Sequence, residues 1–100
     1  MNAYLLTANA QDDLFDIWSY IAEHNRPAAD RVEELILAAC EFLASTPLAG
    51  HVRRDLTEAP VRFWLVKPFL KYLVVYSPET KPLQVIRILH GARDISKILR

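Results

Sequence analysis

Hydrophobic residues in the first half of the chain recur with the period of an α-helix, in two consecutive segments. The first segment carries Leu14, Ile17, Trp18 and Ile21 on one stripe, and all four are expected in the core. The second segment keeps the same period across residues 28–43. Polar residues fill the opposite side of both segments, so each is predicted to be a helix that packs one face on another layer.

Capping residues and prolines mark the ends of these two helices. Thr7 offers a hydroxyl that can cap the first helix, and Asn25 is expected to close it. Pro27 fits the first turn of the second helix, which residues 45–47 end. Only a few residues join the helices, so they must fold back as an antiparallel hairpin.

The rest of the chain carries short hydrophobic runs separated by proline and polar turns, which is typical of β-strands. Short connections make the last three strands antiparallel neighbours. The sequence therefore predicts an α+β fold, with an N-terminal strand and a two-helix hairpin packed on one face of a mainly antiparallel four-stranded sheet. The predicted strands are residues 4–6, 62–66, 69–76 and 83–89, with a further minor strand near residues 51–56.

The segment of residues 85–94 is the most unusual part of the chain. It predicts a last strand buried on nearly both faces, yet Arg87 lies in its middle and His90 precedes a stop at Gly91. An arginine in an apolar strand is costly unless something pairs with it, and a helix acid such as Asp16 or Glu34 is one such partner. Beyond the stop, residues 94–99 predict a short C-terminal helical tail.

The third predicted strand has two apolar faces. Tyr72, Val74 and Tyr76 alternate with Lys71, Leu73 and Val75. A helical hairpin covers only one face of a sheet, so the other face is expected to be an exposed aromatic, aliphatic and basic surface that a partner covers. The alternative is that the C-terminal tail folds over it.

Composition and charge narrow the class of protein. One hundred residues, 52% of them hydrophobic and 24% charged, predict a single domain over residues 1–100. A lone Cys40, no signal sequence and no membrane-spanning run favour the cytoplasm. Residues 1–50 hold eight acidic and two basic side chains, whereas residues 51–100 hold four and ten. This asymmetry indicates either an anionic partner for the second half or mutual neutralisation of the two halves.

Most catalytic constellations are absent from the sequence. His24, His51, His90 and Cys40 lack the spacing of metal ligands, and the two glycines cannot form a phosphate-binding loop. No catalytic residue, metal or cofactor is therefore predicted. The remaining alternative is a metal-free RNA-cleaving site, in which strand cations stabilise the phosphorane and His90, Tyr72 or Tyr76 move protons.

Four motifs in this order resemble the ParE/RelE superfamily of type II toxin–antitoxin toxins, and within it the ParE-like branch. They are residues 10–21, residues 27–29, residues 47–53 and, most specifically, residues 87–94 (Arg-Ile-Leu-His-Gly-Ala-Arg-Asp). The resemblance covers essentially the whole chain. It implies a cytosolic toxin held inactive by a cognate antitoxin, of which a segment disordered when free wraps the toxin.

The resemblance leaves two activities open. ParE-like toxins are taken to block DNA gyrase without chemistry of their own, whereas RelE-like toxins cleave mRNA on the ribosome through strand-borne Lys/Arg residues and a late Tyr or His. No tyrosine follows Tyr76 here, which weakens the second reading, although His90 is a partial substitute. A third possibility is a relative that has lost its target and persists as a binding module.

The resemblance and the charge pattern together give two groups of candidate residues. No membrane association and no sequence-specific DNA binding by this chain alone are expected. The candidates for target binding are Arg87, His90, Arg93 and Lys97, and those for antitoxin binding are Arg53, Arg62, Trp64, Lys71, Tyr72 and Tyr76.

Overall fold

Two helices pack against one face of a four-stranded sheet, as the hydrophobic pattern predicts. The computed structural model describes residues 3–68 and 71–91. Candidates Arg93 and Lys97 and the predicted helical tail therefore lie outside the described residues. In chain order the elements are β1 (Tyr4–Leu6), α1 (Ala8–Ala22), α2 (Arg26–Ser45), β2 (Arg62–Leu65), β3 (Tyr72–Ser77) and β4 (Leu83–His90).

Side-chain caps hold the beginnings of both helices. Thr7 Oγ1 accepts a hydrogen bond from the Ala10 amide at 3.2 Å, as predicted, and donates to the Ile86 carbonyl at 2.8 Å. Asn25 does not close α1, which ends at Ala22; its side chain accepts from the Ala28 amide and caps α2. The reason is that the first turn of α2 leaves amides unpaired, which an asparagine carbonyl can satisfy.

The sheet has the order β1-β4-β3-β2. β1 runs parallel to β4, and the other two pairings are antiparallel, so the mainly antiparallel prediction is confirmed. The prediction of a minor strand near residues 51–56 is wrong. In this segment His51 alone pairs with the sheet, through an isolated bridge to Phe63 of β2. β3 begins at Tyr72, and the two residues 69–70 of the predicted strand lie outside the described part.

One irregularity changes the phase of β4. Val75 lies opposite Arg87 and Tyr76 opposite Val85, so Ile86 is an extra residue on β4. Such a bulge shifts the alternation of side chains by one position. Val85 and Ile88 consequently both join the core under the helices, although they are three residues apart. Arg87 directly follows this extra residue in β4.

The sheet buries hydrophobic side chains on both faces. Under the helices lies the larger core, whose centre includes Ile36, Val74 and Val85. On the opposite face Leu73 and Val75 are 8% and 0% exposed, so the expected exposed surface on this face is wrong. Leu56 and Val61, from the segment between α2 and β2, pack against this second cluster. That segment therefore covers this face of the sheet. The hydrophobic pattern had predicted that an external partner or the C-terminal tail would cover it.

Trp18 is another departure from the prediction. Its indole is half-buried and does not lie in the core. Trp18 Nε1 donates to the Asp30 carboxylate at 2.8 Å, and the Arg26 guanidinium lies 5.5 Å from the ring centroid. The residue therefore ties α1 to α2 near the turn of the hairpin.

Candidate functional site

Arg87 is held by an acid on the first helix. Its Nε and Nη2 atoms donate to the two carboxylate oxygens of Asp13, each at 2.7 Å. The Ile88 amide donates to the same carboxylate at 3.0 Å. The class of partner predicted for Arg87 is confirmed, but the residue is Asp13 and not Asp16 or Glu34. Asp13 lies on the flank of α1 that faces β4, because it precedes Ile17 by one helical turn.

The end of β4 next to this ion pair brings together three of the predicted residues. Tyr72 lies opposite His90 across the β3–β4 pairing, and their rings meet edge to face at 5.6 Å. The Lys71 ammonium lies 5.7 Å from the centroid of the Tyr72 ring. Lys71 is exposed, whereas Tyr72 is buried. The cluster therefore presents a cation over an aromatic ring that the surrounding protein has already desolvated.

Tyr76 is buried and anchors the loop of residues 47–51. Its hydroxyl donates to the Pro47 carbonyl at 2.7 Å and accepts from the Gly50 amide at 2.8 Å. Burial raises the pKa of Tyr76, so the phenol stays neutral. Arg62 Nη1 completes the anchor by donating to the Gly50 carbonyl at 2.8 Å. Two residues predicted to bind an antitoxin therefore hold this loop in place.

Arg53 is also engaged within the chain. Its guanidinium donates to both carboxylate oxygens of Asp55, at 3.0 and 2.7 Å. The hydrogen bonds from Arg53 lower the pKa of Asp55, although both groups are exposed. Arg53, Arg62 and Arg87 thus all have intramolecular acceptors. This geometry favours binding or structural roles for these arginines over stabilisation of a reacting phosphate.

Two hollows border α2 on the helix-covered side of the sheet. The larger, of about 800 Å³, lies between the helical hairpin and the β3–β4 pair and includes Arg31, Lys71 and Tyr72 in its walls. The smaller, of about 270 Å³, lies between α2 and β2. There Trp64 is half-buried, and its ring lies 5.3 Å from that of Phe42. Trp64 is therefore an accessible aromatic side chain at the edge of the sheet.

The structure distributes the candidate residues over separate places. Lys71, Tyr72, Arg87 and His90 come together at the larger hollow, and Trp64 lies at the smaller one. The remaining antitoxin candidates, Arg53, Arg62 and Tyr76, belong to the anchored loop and its neighbourhood.

Sequence reasoning missed several residues that shape these places. They are Asp13, Phe42 and Gly50. Asp13 had a detectable signal, since it lies one turn before Ile17 on the helix stripe. Phe42 lies beside the stripe of α2, where a large aromatic residue is unusual on an otherwise polar surface. Gly50 had no signal in the sequence, because its importance comes from the contact with Tyr76.

Two kinds of reactive group concern residues 3–68 and 71–91: a metal-binding cluster and a reactive thiol. No group of three His, Cys, Asp or Glu side chains in this part of the chain could hold a metal ion. Cys40 is a buried residue of α2, and its burial raises the pKa of the thiol to about 12. A thiol with this pKa is not a nucleophile near neutral pH. Neither helix of the described part is long and apolar enough to cross a membrane.

Comparison with known proteins identifies the architecture first. The fold is shared with a solved structure: the chain is similar to a chain of the "Chromosomal ParDE TA system from P. aeruginosa", with a TM-score of 0.71. The two chains share 21% sequence identity over 88% of this chain and 94% of the other. At this identity the similarity establishes the fold alone. A comparison with curated protein sequences finds no match.

The family follows from the sequence itself. The profile of the family described as "ParE toxin of type II toxin-antitoxin system, parDE" matches residues 4–95. The match spans nearly the whole chain, including both helices and all four strands. The chain therefore belongs to the ParE toxin family of type II toxin–antitoxin systems, and the resemblance seen in its motifs is confirmed.

Proposed function

We propose that the chain inhibits DNA gyrase in the cytosol by binding, and that a cognate antitoxin neutralises it. Membership of the ParE family carries this proposal. It is consistent with the engagement of Arg53, Arg62 and Arg87 by acceptors inside the chain, since each guanidinium already has a partner. Binding of this kind needs no cofactor and no catalytic residue.

A supercoiling assay tests the gyrase part of the proposal. Purified chain in increasing excess is added to gyrase and relaxed plasmid, and the supercoiled product is measured. We expect progressive loss of supercoiling and, if a cleaved complex is trapped, accumulation of linear plasmid. Full gyrase activity at a large excess of folded chain would rule the proposal out. Heat-unfolded chain at the same concentrations is the control for nonspecific inhibition.

The antitoxin part needs a separate test. The reading frame next to that of the toxin is expected to encode a small acidic protein with a DNA-binding N-terminal region. Its product, added in equimolar amount, should restore supercoiling. If the product binds the chain but gyrase stays inhibited, binding does not neutralise the toxin. That result would contradict the antitoxin part of the proposal.

The arrangement at the end of β4 favours a second candidate, a ribosome-dependent mRNA endonuclease. His90 can transfer protons, and Lys71 and the Tyr72 ring lie beside it. Translation extracts programmed with a defined mRNA would then show cleavage at particular codons in the presence of the chain. Intact mRNA under conditions that inhibit gyrase would dismiss this candidate.

A further inference from the structure

The larger hollow has the size and the apolar walls of a small-molecule site. Its volume is about 800 Å³, within the range of about 300–1,000 Å³ that is typical of ligand pockets. Ile17 and Ile21 of α1, Val32 of α2 and Ile88 of β4 line it. Because helices wall it on one side and strands on another, the hollow suits a compact ligand with an apolar body.

Two exposed cations belong to the walls of the larger hollow and come from different elements. Arg31 lies on α2, and Lys71 directly precedes β3. Neither is in an ion pair with a carboxylate of the described residues, in contrast to Arg87, which Asp13 holds. Two such cations suit a ligand group with more than one negative charge. A phosphate monoester is such a group, with a charge of about −1.5 to −2 near neutral pH.

An exposed aromatic ring completes the set of groups at the hollow. Tyr20 of α1 lines the hollow and is 75% exposed, so its ring is accessible to a ligand. Tyr72, only 4% exposed, is already in contact with His90 and with the Lys71 ammonium. Tyr20 is therefore the aromatic side chain that can offer a face to a flat ring, and stacking of this kind is how proteins bind nucleobases.

The charges at the hollow disfavour other classes of ligand. Asp13 and Arg87 neutralise each other, and Arg31 with Lys71 outnumbers Asp16, so the paired and exposed charges leave an excess of one positive charge. A metal cation or a basic ligand would be repelled. Inorganic phosphate would pair with the cations but would leave the apolar walls uncovered. A ligand that joins a phosphate to a flat aromatic body uses both features.

We propose that the larger hollow binds a nucleotide, with its phosphate held by Arg31 and Lys71 and its base stacked on Tyr20. The nucleotide is either free or the 5′-phosphorylated end of a nucleic-acid strand, since the chemistry of contact is the same in both. This site goes beyond the inhibition of gyrase, and its test requires neither gyrase nor an antitoxin.

The test is calorimetric titration of the purified, folded full chain with three probes: adenosine 5′-monophosphate (AMP), adenosine and inorganic phosphate. We expect AMP to bind with a Kd of about 10–100 μM, as is ordinary for a ligand of this size. Adenosine lacks the charged group and inorganic phosphate lacks the base. Each should therefore bind at least about tenfold more weakly than AMP.

Substitution of the two cations tests the phosphate contact. Arg31→Gln and Lys71→Gln should each raise the Kd of AMP about tenfold and leave the weak binding of adenosine unchanged. The matched controls are Arg54→Gln and Lys81→Gln, at exposed positions that do not line the hollow. Both controls should keep the Kd of AMP within about twofold of wild type.

Substitutions on α1 test the base contact and the sign of the charge effect. Tyr20→Ala should raise the Kd of AMP about tenfold, whereas Tyr20→Phe keeps the ring and should stay within about twofold. Asp16→Asn should lower the Kd about two- to threefold, because it removes a like charge beside the phosphate. A variant that merely loosened the fold would not bind AMP more tightly, so this change distinguishes contact from structure.

Two further probes distinguish the sources of the nucleotide. They are a short single-stranded DNA oligonucleotide with a 5′-phosphate and the same oligonucleotide with a 5′-hydroxyl. If the phosphorylated oligonucleotide binds more tightly than AMP and the hydroxyl form does not, the hollow receives the end of a strand. If AMP binds more tightly than both, the hollow receives a free nucleotide. Either result supports the nucleotide site.

Four results would overturn the proposal. Adenosine that binds as tightly as AMP would show that the phosphate is not recognised. Inorganic phosphate that binds as tightly as AMP would reduce the hollow to a site for simple anions. AMP affinity that is unchanged in both the Arg31 and the Lys71 variant would place binding elsewhere. The absence of saturable binding of AMP and of both oligonucleotides at millimolar concentration would remove the site altogether.

Discussion

Asp13 accepts three hydrogen bonds from β4, two from the Arg87 guanidinium and one from the Ile88 amide. A single carboxylate on α1 thus satisfies a charged side chain and a backbone amide next to the β-bulge at Ile86. The side chains of Asp13 and Arg87 are only 14% and 21% exposed, so solvent screens the pair less than a surface ion pair. The most specific family motif of the sequence begins at Arg87, and the structure gives that residue a role in joining helix and sheet.

The first prediction concerns this ion pair. Asp13→Ala removes all three acceptor contacts and leaves the Arg87 guanidinium partly buried beside an unpaired amide. We expect the free energy of unfolding to fall by about 2–3 kcal/mol, measured by urea denaturation near neutral pH. Asp12→Ala, on the exposed side of the same helix, should change it by less than about 0.5 kcal/mol.

A double-mutant cycle with Arg87→Ala completes the test. Because the two side chains contact each other, the effects of the two substitutions should be non-additive by about 1 kcal/mol or more. Additive losses would show that Asp13 stabilises the backbone amide alone. Equal stability of the Asp13 and Asp12 variants would contradict the structural role altogether.

The sequence predicted this helix–sheet contact only in outline. Helical periodicity located the stripe of α1, and the cost of burying an unpaired charge required an acid opposite Arg87. Choosing Asp13 over Asp16 needs the exact rotation of α1 over the sheet and the phase of β4 after the bulge. Both depend on packing between segments more than 70 residues apart, which no local pattern encodes.

The same limit explains the antitoxin candidates. Alternation along β3 correctly separated Tyr72 and Tyr76 from Leu73 and Val75. It could not show that the segment before β2 folds over the second face. It also could not show that the Tyr76 hydroxyl is hydrogen-bonded to the loop at Gly50. The half-buried position of Trp64 beside Phe42 depends on where α2 lies over the sheet, which the sequence pattern does not give.

The second prediction concerns the tyrosine that anchors the loop. Tyr76→Phe keeps the buried ring but leaves the Gly50 amide without its acceptor and the Pro47 carbonyl without its donor. A loss of about 1–3 kcal/mol in the free energy of unfolding is expected. Hydrogen exchange of the Gly50 amide should also accelerate. Tyr20→Phe, at a position 75% exposed, is the control and should leave both quantities unchanged.

The third prediction concerns the glycine under that tyrosine. A Cβ added at Gly50 would lie 2.5 Å from the Tyr76 hydroxyl oxygen and 2.8 Å from its ring, closer than van der Waals contact permits. Gly50→Ala should therefore destabilise the chain by about 1–3 kcal/mol, measured by thermal or urea unfolding.

Gly91→Ala provides the comparison for Gly50. Gly91 has a φ of +48°, and the nearest atom to its added Cβ lies at 3.4 Å. Only backbone strain opposes this substitution, and we expect a cost of about 1 kcal/mol. Combining Gly50→Ala with Tyr76→Phe should not restore stability, since the ring and the Phe63 carbonyl still crowd the new methyl group. Full recovery in the double variant would show that the hydroxyl alone causes the clash.

The fourth prediction concerns the single cysteine. Burial raises the pKa of Cys40 from 9.0 to about 12, so the folded chain keeps this thiol protonated at alkaline pH. Ellman's reagent at mildly alkaline pH should not label the native chain, and should label one thiol per chain in urea. Rapid labelling without denaturant would contradict the burial.

The raised pKa of Cys40 also fixes the sign of a pH effect. Well below pH 9.0 the thiol is protonated in both the folded and the unfolded chain, so its contribution to stability is fully present and does not vary with pH. Above that pH the unfolded chain ionises first, so its contribution to stability is lost progressively as pH rises toward about 12. Unfolding followed across this range should show a steeper alkaline loss for wild type than for Cys40→Ala.

The last prediction concerns the basic residues that follow β4 in the sequence. Arg93 and Lys97 are target-binding candidates that lie outside the described residues, whereas Arg87 joins β4 to α1. Each positive charge can pair with a phosphate or an acidic side chain of the gyrase–DNA complex. We expect Arg93→Ala and Lys97→Ala each to raise the concentration needed for half-inhibition of supercoiling by about tenfold.

The control is Lys81→Ala, at an exposed lysine elsewhere in the chain, which should leave this concentration unchanged. The unfolding midpoints of all three variants should match wild type, which distinguishes lost contact from lost structure. Undiminished inhibition by the Arg93 and Lys97 variants would move the target-binding surface away from this end of the chain.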